Sequence, residues 1–200
     1  MMALPKAQPR RLVLASTSRY RRELLERLGV AFEAAAPHFD EAPLSGETSA
    51  ATALRLSVGK AESLARTFPD ALIIGADQVA SSEGRTLGKP GNHENAVQQL
   101  RALSGKAAQF DTAVTLLDAR EGQLQSRVVG CHVLFRELDE RRIEAYLRRE
   151  QPYDCAGSAK AEGLGIALIE RIHTDDPTSL IGLPLIALTA MLERAGLPVL

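Results

Sequence analysis

The stretch Leu12-Val13-Leu14-Ala15-Ser16-Thr17-Ser18-Arg19-Tyr20-Arg21-Arg22 passes from a short apolar run through hydroxyls into a segment rich in arginine. The apolar run reads as a buried strand and Ser18 as the N-cap of a helix. Leu24, Leu25 and Leu28 give that helix an apolar face, and Gly29 ends it. A helix start exposes backbone N–H groups that have no acceptor of their own, so this turn suits an anion. Ser16 and Ser18 add hydroxyls, and Arg21 or Arg22 adds a planar, always-charged fork. The same residues also suit an ordinary strand–loop–helix with a solvated basic face. The stretch therefore decides an α/β opening and leaves its ligand to the rest of the chain.

Outward from there, strand and helix patterns alternate with no linker, repeat or low-complexity tract. Phe32 to Ala36 reads as a strand. Thr48 to Phe68 reads as a long helix whose stripe is Leu54, Val58, Ala61, Ala65 and Phe68, stopped by Pro69, with Lys60 off the stripe. Ala71 to Ala80 is a second strand with Asp77 near its end, and Ser81 to Arg85 turns the chain back. Asn92 caps a helix ending at Gly105. Ala108 to Leu117 and Gln123 to Phe135 form a hairpin around Arg120-Glu121-Gly122. Asp139 to Arg149 is helical, Leu164 to Ile172 a strand, and Pro184 opens a last helix closed by Gly196. The expected class is α/β with a mixed sheet.

Composition frames what such a chain can do. Its 200 residues, 45% hydrophobic and 24% charged, suffice for one globular domain that buries about 70% of its unfolded surface. Residues 1–10 read as a flexible N-terminal extension and 11–200 as a single domain. A net charge of -1 and a pI near 6.4 argue against a general nucleic-acid binder, so an anion site must be local. Cys131 and Cys155 stand apart, without the spacing of a disulfide framework or a zinc site, and read as small buried hydrophobes in a reducing cytoplasm. The apolar run after Arg11 is too short for a signal core or a membrane span. His38, His93, His132 and His173 lack ligand-like spacing, and Arg141-Arg142 with Arg148-Arg149 reads as the wet face of a helix.

Three further places can carry chemistry. Asp77 stands where an apolar strand emerges, a position from which a carboxylate can bind a hard cation or take a proton from water; it could equally make a local turn. Asp40-Glu41 supplies a second carboxylate pair for a magnesium ion that also holds phosphate oxygens, or a solvated loop. Gly88-Lys89-Pro90 presents a lysine on a stiffened loop, suited to phosphate or to an ordinary surface turn.

Taken together, Ser16-x-Ser18-x-x-Arg21-Arg22, Asp40-Glu41, Lys60-Ala61, Gly75-Ala76-Asp77-Gln78, Gly88-Lys89-Pro90, Ala156-Gly157-Ser158 and Gly182-Leu183-Pro184 resemble, in order and spacing, the Maf family of nucleoside triphosphate pyrophosphatases. The resemblance covers nearly the whole chain after Arg11. It implies a bilobal mixed-sheet fold shared with inosine triphosphatases, with a cleft between the lobes. It also implies a divalent metal (Mg2+ or Mn2+), a homodimer, a cytoplasmic location and Asp77 as proton acceptor. Ala113 departs from the family, whose members often carry glycine after the threonine matched by Thr112.

Three positions that the family uses to choose substrates are Tyr20, Gln78 and Glu162 here. They differ from the arginine, threonine and glutamine of the branch acting on thymidine and uridine triphosphates, and resemble the 7-methyl-GTP branch, in which the aromatic is more often tryptophan. N7-methylation makes the purine cationic, so Tyr20 could stack on it with a cation–π contribution of about 0.5–2 kcal/mol. Glu162 could accept from guanine N1–H and the exocyclic amine. The implied reaction is hydrolysis of 7-methyl-GTP to 7-methyl-GMP and pyrophosphate. In it Asp77 activates water, Glu41 and Asp77 hold the metal, and Ser16, Ser18, Arg21, Lys60 and Lys89 bind the phosphates. The alternatives are a pyrophosphatase for dTTP, UTP or unmodified GTP, and a non-catalytic nucleotide-binding regulator of septum formation. Neither nucleic acid nor membrane is an expected partner.

Overall fold

In the computed structural model, which describes residues 10–42 and 44–200, the described chain forms seven strands and five helices. In order they are β1 (Leu12–Ala15), α1 (Arg19–Glu26), β2 (Glu33–Ala35), α2 (Ser49–Ser63), β3 (Leu72–Ser82), β4 (Arg85–Leu87), α3 (His93–Leu103), β5 (Ala107–Asp118), β6 (Gln123–Phe135), α4 (Glu140–Glu150), β7 (Ile169–Thr174) and α5 (Leu185–Arg194). One mixed sheet runs β2-β1-β3-β5-β6-β7, with β4 also on β3. β1 lies parallel to β2 and β3, and the other pairings are antiparallel. Ser18, Thr48, Asn92 and Asp139 each cap a helix by accepting the N–H three residues on.

The long strands β3 and β5 are shared by two core regions, and β6 belongs to the second. In the first, α1 and α5 cover one face of β1 and β3 through Leu12, Leu14, Leu24, Leu25, Leu72, Ile74, Leu188 and Leu192, while α2 covers the other through Ala61, Leu64, Val13 and Ile73. In the second, Ala80, Leu100, Phe110, Val133, Phe135, Ile143 and Leu147 join α3 and α4 to the far ends of the same strands. The chain is thus bilobal. Burial of about 25 cal/mol per Å² of apolar surface drives both halves, and the sheet is continuous between them.

The cleft lies where β3 changes neighbour. Pairing with β1 ends at Ala15 opposite Gly75, and pairing with β4 begins only at Ala80, so Ala76–Val79 has an unpaired edge. Asp77 is therefore mid-strand, not at a strand end, and its opening to a cleft comes from the ending of β1 beside it. Because successive strand residues point to opposite faces, Asp77 turns toward α2 and Gln78 toward the segment Pro177–Ile181.

Three readings of the sequence need correction. The face of α2 against the sheet is Ala53, Ser57, Lys60, Ala61 and Leu64, with Leu54 partly exposed, and the helix ends at Ser63. Small residues win because the helix packs close: a Cβ on Gly75 would lie 3.0 Å from Ala61 N and collide with the Ser57 carbonyl. Ser57, Thr115 and Ser126 hydroxyls link α2 to β5 and β6 across this contact (2.8 and 2.9 Å). Second, Leu164–Leu168 is a 3-10 turn and the strand starts at Ile169, because the N–H groups of Gly163 and Gly165 bond back to Lys160 O. Third, Cys155 is half-buried on the cleft wall, whereas Cys131 is fully buried. Of the expected extension 1–10, residues 1–9 lie outside the described residues, and Arg10 pairs with Asp118 at 2.5 Å.

Candidate active site

Between the lobes is a cavity of about 600 Å³, and Ser16, Ser18, Tyr20, Arg21, Glu41, Lys60, Asp77, Gln78, Lys89 and Glu162 all line it. At one end stands the start of α1. Ser18 N donates to Ser16 Oγ (3.1 Å) and Arg21 N to Ser18 Oγ (3.4 Å), so both hydroxyl oxygens are used as acceptors and each keeps its own proton to give. The N–H groups of Arg19 and Tyr20, in the first turn, have no acceptor within the helix. Arg21, not Arg22, faces the cavity, and its Nε donates to Gly182 O (2.9 Å). Burial lowers the Arg21 guanidinium from its ordinary value, against the opposite pull of Asp77 and Glu41; it stays charged. Gly182, at φ 119°, takes a conformation that side chains rarely adopt. Lys89 is an exposed cation that also lines the cavity.

The chemical centre is an ion triad. Lys60 Nζ donates to Asp77 Oδ1 at 2.5 Å and lies 3.0 Å from Glu41 Oε2; the Lys60 and Asp77 side chains are only 7% and 10% exposed. Sequence periodicity places Lys60 off the packed face of α2, yet it is buried with that face, its stem along the apolar wall and its charge met by two carboxylates. Among the described residues, the side-chain hydrogen bond made by the Asp77 carboxylate is the one from Lys60 to Oδ1. Ala113, fully buried on β5, is the register partner of Asp77.

Lys60 takes one oxygen of each carboxylate, so Mg2+ or Mn2+ would be held by the remaining oxygens of Asp77 and Glu41, beside the ammonium or in its place. No group of three or more His, Cys, Asp or Glu among the described residues could hold a metal, so two carboxylates plus phosphate oxygens and water is the donor set this site could offer.

At the other end, the Tyr20 hydroxyl accepts from Arg19 Nη2 (2.5 Å) and donates to Asp154 (3.2 Å), reaching across the cleft from α1 to the second lobe. Burial raises its phenol above the ordinary value. The Tyr20 ring already has cations over it: Arg19 Cζ at 4.6 Å and Lys160 Nζ at 5.6 Å from its centroid. A cationic base must therefore compete with them for that face. Glu162 is exposed and lines the same end.

Gln78 is locked. Its Nε2 donates to Thr112 Oγ1 (2.9 Å), Ser179 O (2.9 Å) and Leu180 O (3.1 Å), so its Oε1 is the atom left for a ligand, and it can only accept. The supporting residues are legible in the sequence only as hydroxyls and a carboxylate. Thr112, opposite Gln78 in register, also donates to Ser179 O. Asp176, 2% exposed, accepts from Thr178 N (3.0 Å), Thr178 Oγ1 (2.5 Å) and Ile186 N (2.8 Å), fixing the turn that presents those carbonyls and the start of α5. A D-x-T preceding Gly-x-Pro is the signal that could have found it.

The sequence profile of the family described as Maf-like protein matches residues 11–195. A protein of Thiobacillus denitrificans named 7-methyl-GTP pyrophosphatase is 60% identical over 189 residues, covering 94% of each chain. One of the same name from Cupriavidus pinatubonensis is 57% identical over 188 residues, again 94% of each chain. Among solved structures, the Staphylococcus aureus Ham1 protein superimposes with a TM-score of 0.44 at 16% identity, over 63% of this chain and 72% of that one.

Proposed function

The chain belongs to the Maf family, and from that premise we propose that it hydrolyses 7-methyl-GTP at the α–β phosphoanhydride, releasing 7-methyl-GMP and pyrophosphate. The observation that carries the reading is the placement of Asp77, mid-strand in the cleft, with Lys60 on one oxygen and the phosphate cradle of Ser16, Ser18 and Arg21 lining the same cavity. Relatives of 57–60% identity are named for this reaction.

In this reading Asp77 takes a proton from the attacking water, and Lys60 holds the carboxylate in place by its bond to Oδ1. Arg21 and Lys89 neutralise the departing pyrophosphate, while Ser16, Ser18 and the free N–H groups of α1 fix its orientation. Glu41 and Asp77 would hold Mg2+ or Mn2+, which when bound would neutralise charge on the transferring phosphoryl group. Glu162 and Gln78 Oε1 offer acceptors, so they favour a base edge rich in donors, as guanine has. Tyr20 supplies a stacking face once Lys160 or Arg19 gives way. The proposal extends to a homodimer in the cytoplasm; no described helix is long and apolar enough to cross a membrane.

The test is pyrophosphate release with magnesium from 7-methyl-GTP, GTP, dTTP, UTP and ATP. Preference for 7-methyl-GTP is expected. Preference for a pyrimidine nucleotide would overturn the base assignment and leave the chemistry, and binding without turnover on any of the five would favour the regulator.

A further inference from the structure

Glu41 sits on an irregular loop, yet it must be held against Lys60. What holds it is found two residues earlier. The ring of Phe39, a large aromatic left 38% exposed, rests on the middle of α2 at Gly59, the residue before Lys60. A Cβ added at Gly59 would lie 2.6 Å from Phe39 Cε1 and closer still to Cζ, so any side chain there displaces the ring from this seat. A glycine in a helix interior weakens the helix relative to alanine. At Gly59 that weakness coincides with a slot for an aromatic, and the slot adjoins the ion triad.

We propose that Phe39 seated on Gly59 is the latch that positions Glu41 over Lys60 and Asp77, making Phe39 and Gly59 positioning residues for the carboxylate pair. The loop has few other ties: Asp40 closes a local turn by accepting Ala42 N (3.0 Å), and Arg55, from the next turn of α2, donates to Ala42 O (3.2 Å). Those bonds hold the backbone after Glu41. Phe39 holds the backbone before it, which keeps the half-exposed Glu41 side chain within reach of Lys60. The consequence for magnesium use rests on the reading under Proposed function; the latch itself does not.

Gly59→Ala is the decisive variant, because it should leave the folded protein as stable or more stable while evicting the ring. Expected are a rise of about tenfold in the magnesium concentration for half-maximal turnover, faster amide hydrogen exchange across residues 37–42, and an undiminished melting temperature. Phe39→Ala should give the same exchange and magnesium effects. The pair Gly59→Ala with Phe39→Ala should lose nothing beyond either alone, whereas Gly59→Ala with Phe39→Leu should recover part of the loss. A merely structural role would instead lower the melting temperature while leaving the magnesium dependence of turnover unchanged. Unchanged exchange and magnesium dependence in Gly59→Ala would overturn the proposal. If the parent turns over no nucleotide, the exchange measurements still decide the latch, while the failed reading is the one about catalysis.

Discussion

Replacing Asp77 by asparagine should separate chemistry from packing, because the amide keeps the shape and the acceptor for Lys60 while removing the base. A positioned general base contributes about 10²–10⁴-fold, equivalent to roughly 3–5 kcal/mol of barrier, so kcat should fall by that factor with little change in the KM for nucleotide. Stability should fall less than for an isolated buried pair. Breaking such a pair costs about 3–5 kcal/mol when a charge is stranded, but here Lys60 keeps Glu41 at 3.0 Å, an oxygen on a side chain 54% exposed. A loss of about 1–3 kcal/mol follows, or roughly 2–12 °C in melting temperature for a chain of this size. Lys60→Met should be the more damaging of the two to the fold, since it leaves buried Asp77 facing Glu41 with no ammonium between them. The assay is single-turnover pyrophosphate release from 7-methyl-GTP at saturating magnesium, with thermal melts of the parent and both variants. A kcat for Asp77→Asn within about threefold of the parent, with the melt little changed, would refute the assignment of Asp77 as base.

Cys155 lines the cleft, and burial pushes its thiol up to about 11. Below that value the thiol is protonated, so alkylation at pH 8 should be slow, should rise about tenfold per pH unit toward pH 11 and should be blocked by bound nucleotide; fast labelling at pH 7 would contradict it. Thr112→Val removes one of three acceptors for Gln78 Nε2 and a donor to Ser179 O. It should cost about 1–3 kcal/mol of stability and raise KM more than it lowers kcat, as steady-state kinetics on 7-methyl-GTP would register. Asp176→Ala removes the buried carboxylate that the N–H groups of Thr178 and Ile186 bond, and should destabilise by about 1–3 kcal/mol in a denaturant titration. Glu162→Gln should reduce the preference for 7-methyl-GTP over ATP by roughly tenfold in competition, matching a loss of about 1.4 kcal/mol for a carboxylate acceptor.

Local patterns were legible because they depend on neighbours along the chain. The strand Leu12–Ala15 has its read boundaries, Ser18 and Asn92 cap the helices they precede, and the hairpin of β5 and β6 falls on its two apolar runs. Short-range hydrogen bonds and side-chain periodicity encode these, and both are properties of a dozen residues at a time. Ten of the residues lining the cleft could also be named from residue type and from the family resemblance, whereas Cys155 and Asp154 could not.

What only the tertiary structure decided is how those residues face one another. The inward face of α2 is set by the close approach of Gly75 to Ser57, which favours small residues over Leu54 and carries Lys60 into the core beside Asp77. That Asp77 opens to a cleft follows from where β1 ends and β4 begins, a matter of sheet neighbours that no window along β3 contains. The two carbonyls that help lock the Gln78 amide and the Lys160 ammonium over Tyr20 come from residues about 100–140 positions away in the chain. Periodicity reports how a segment divides between water and interior; which partner occupies the interior side is fixed by packing between segments, and that selects the charges and acceptors a ligand meets.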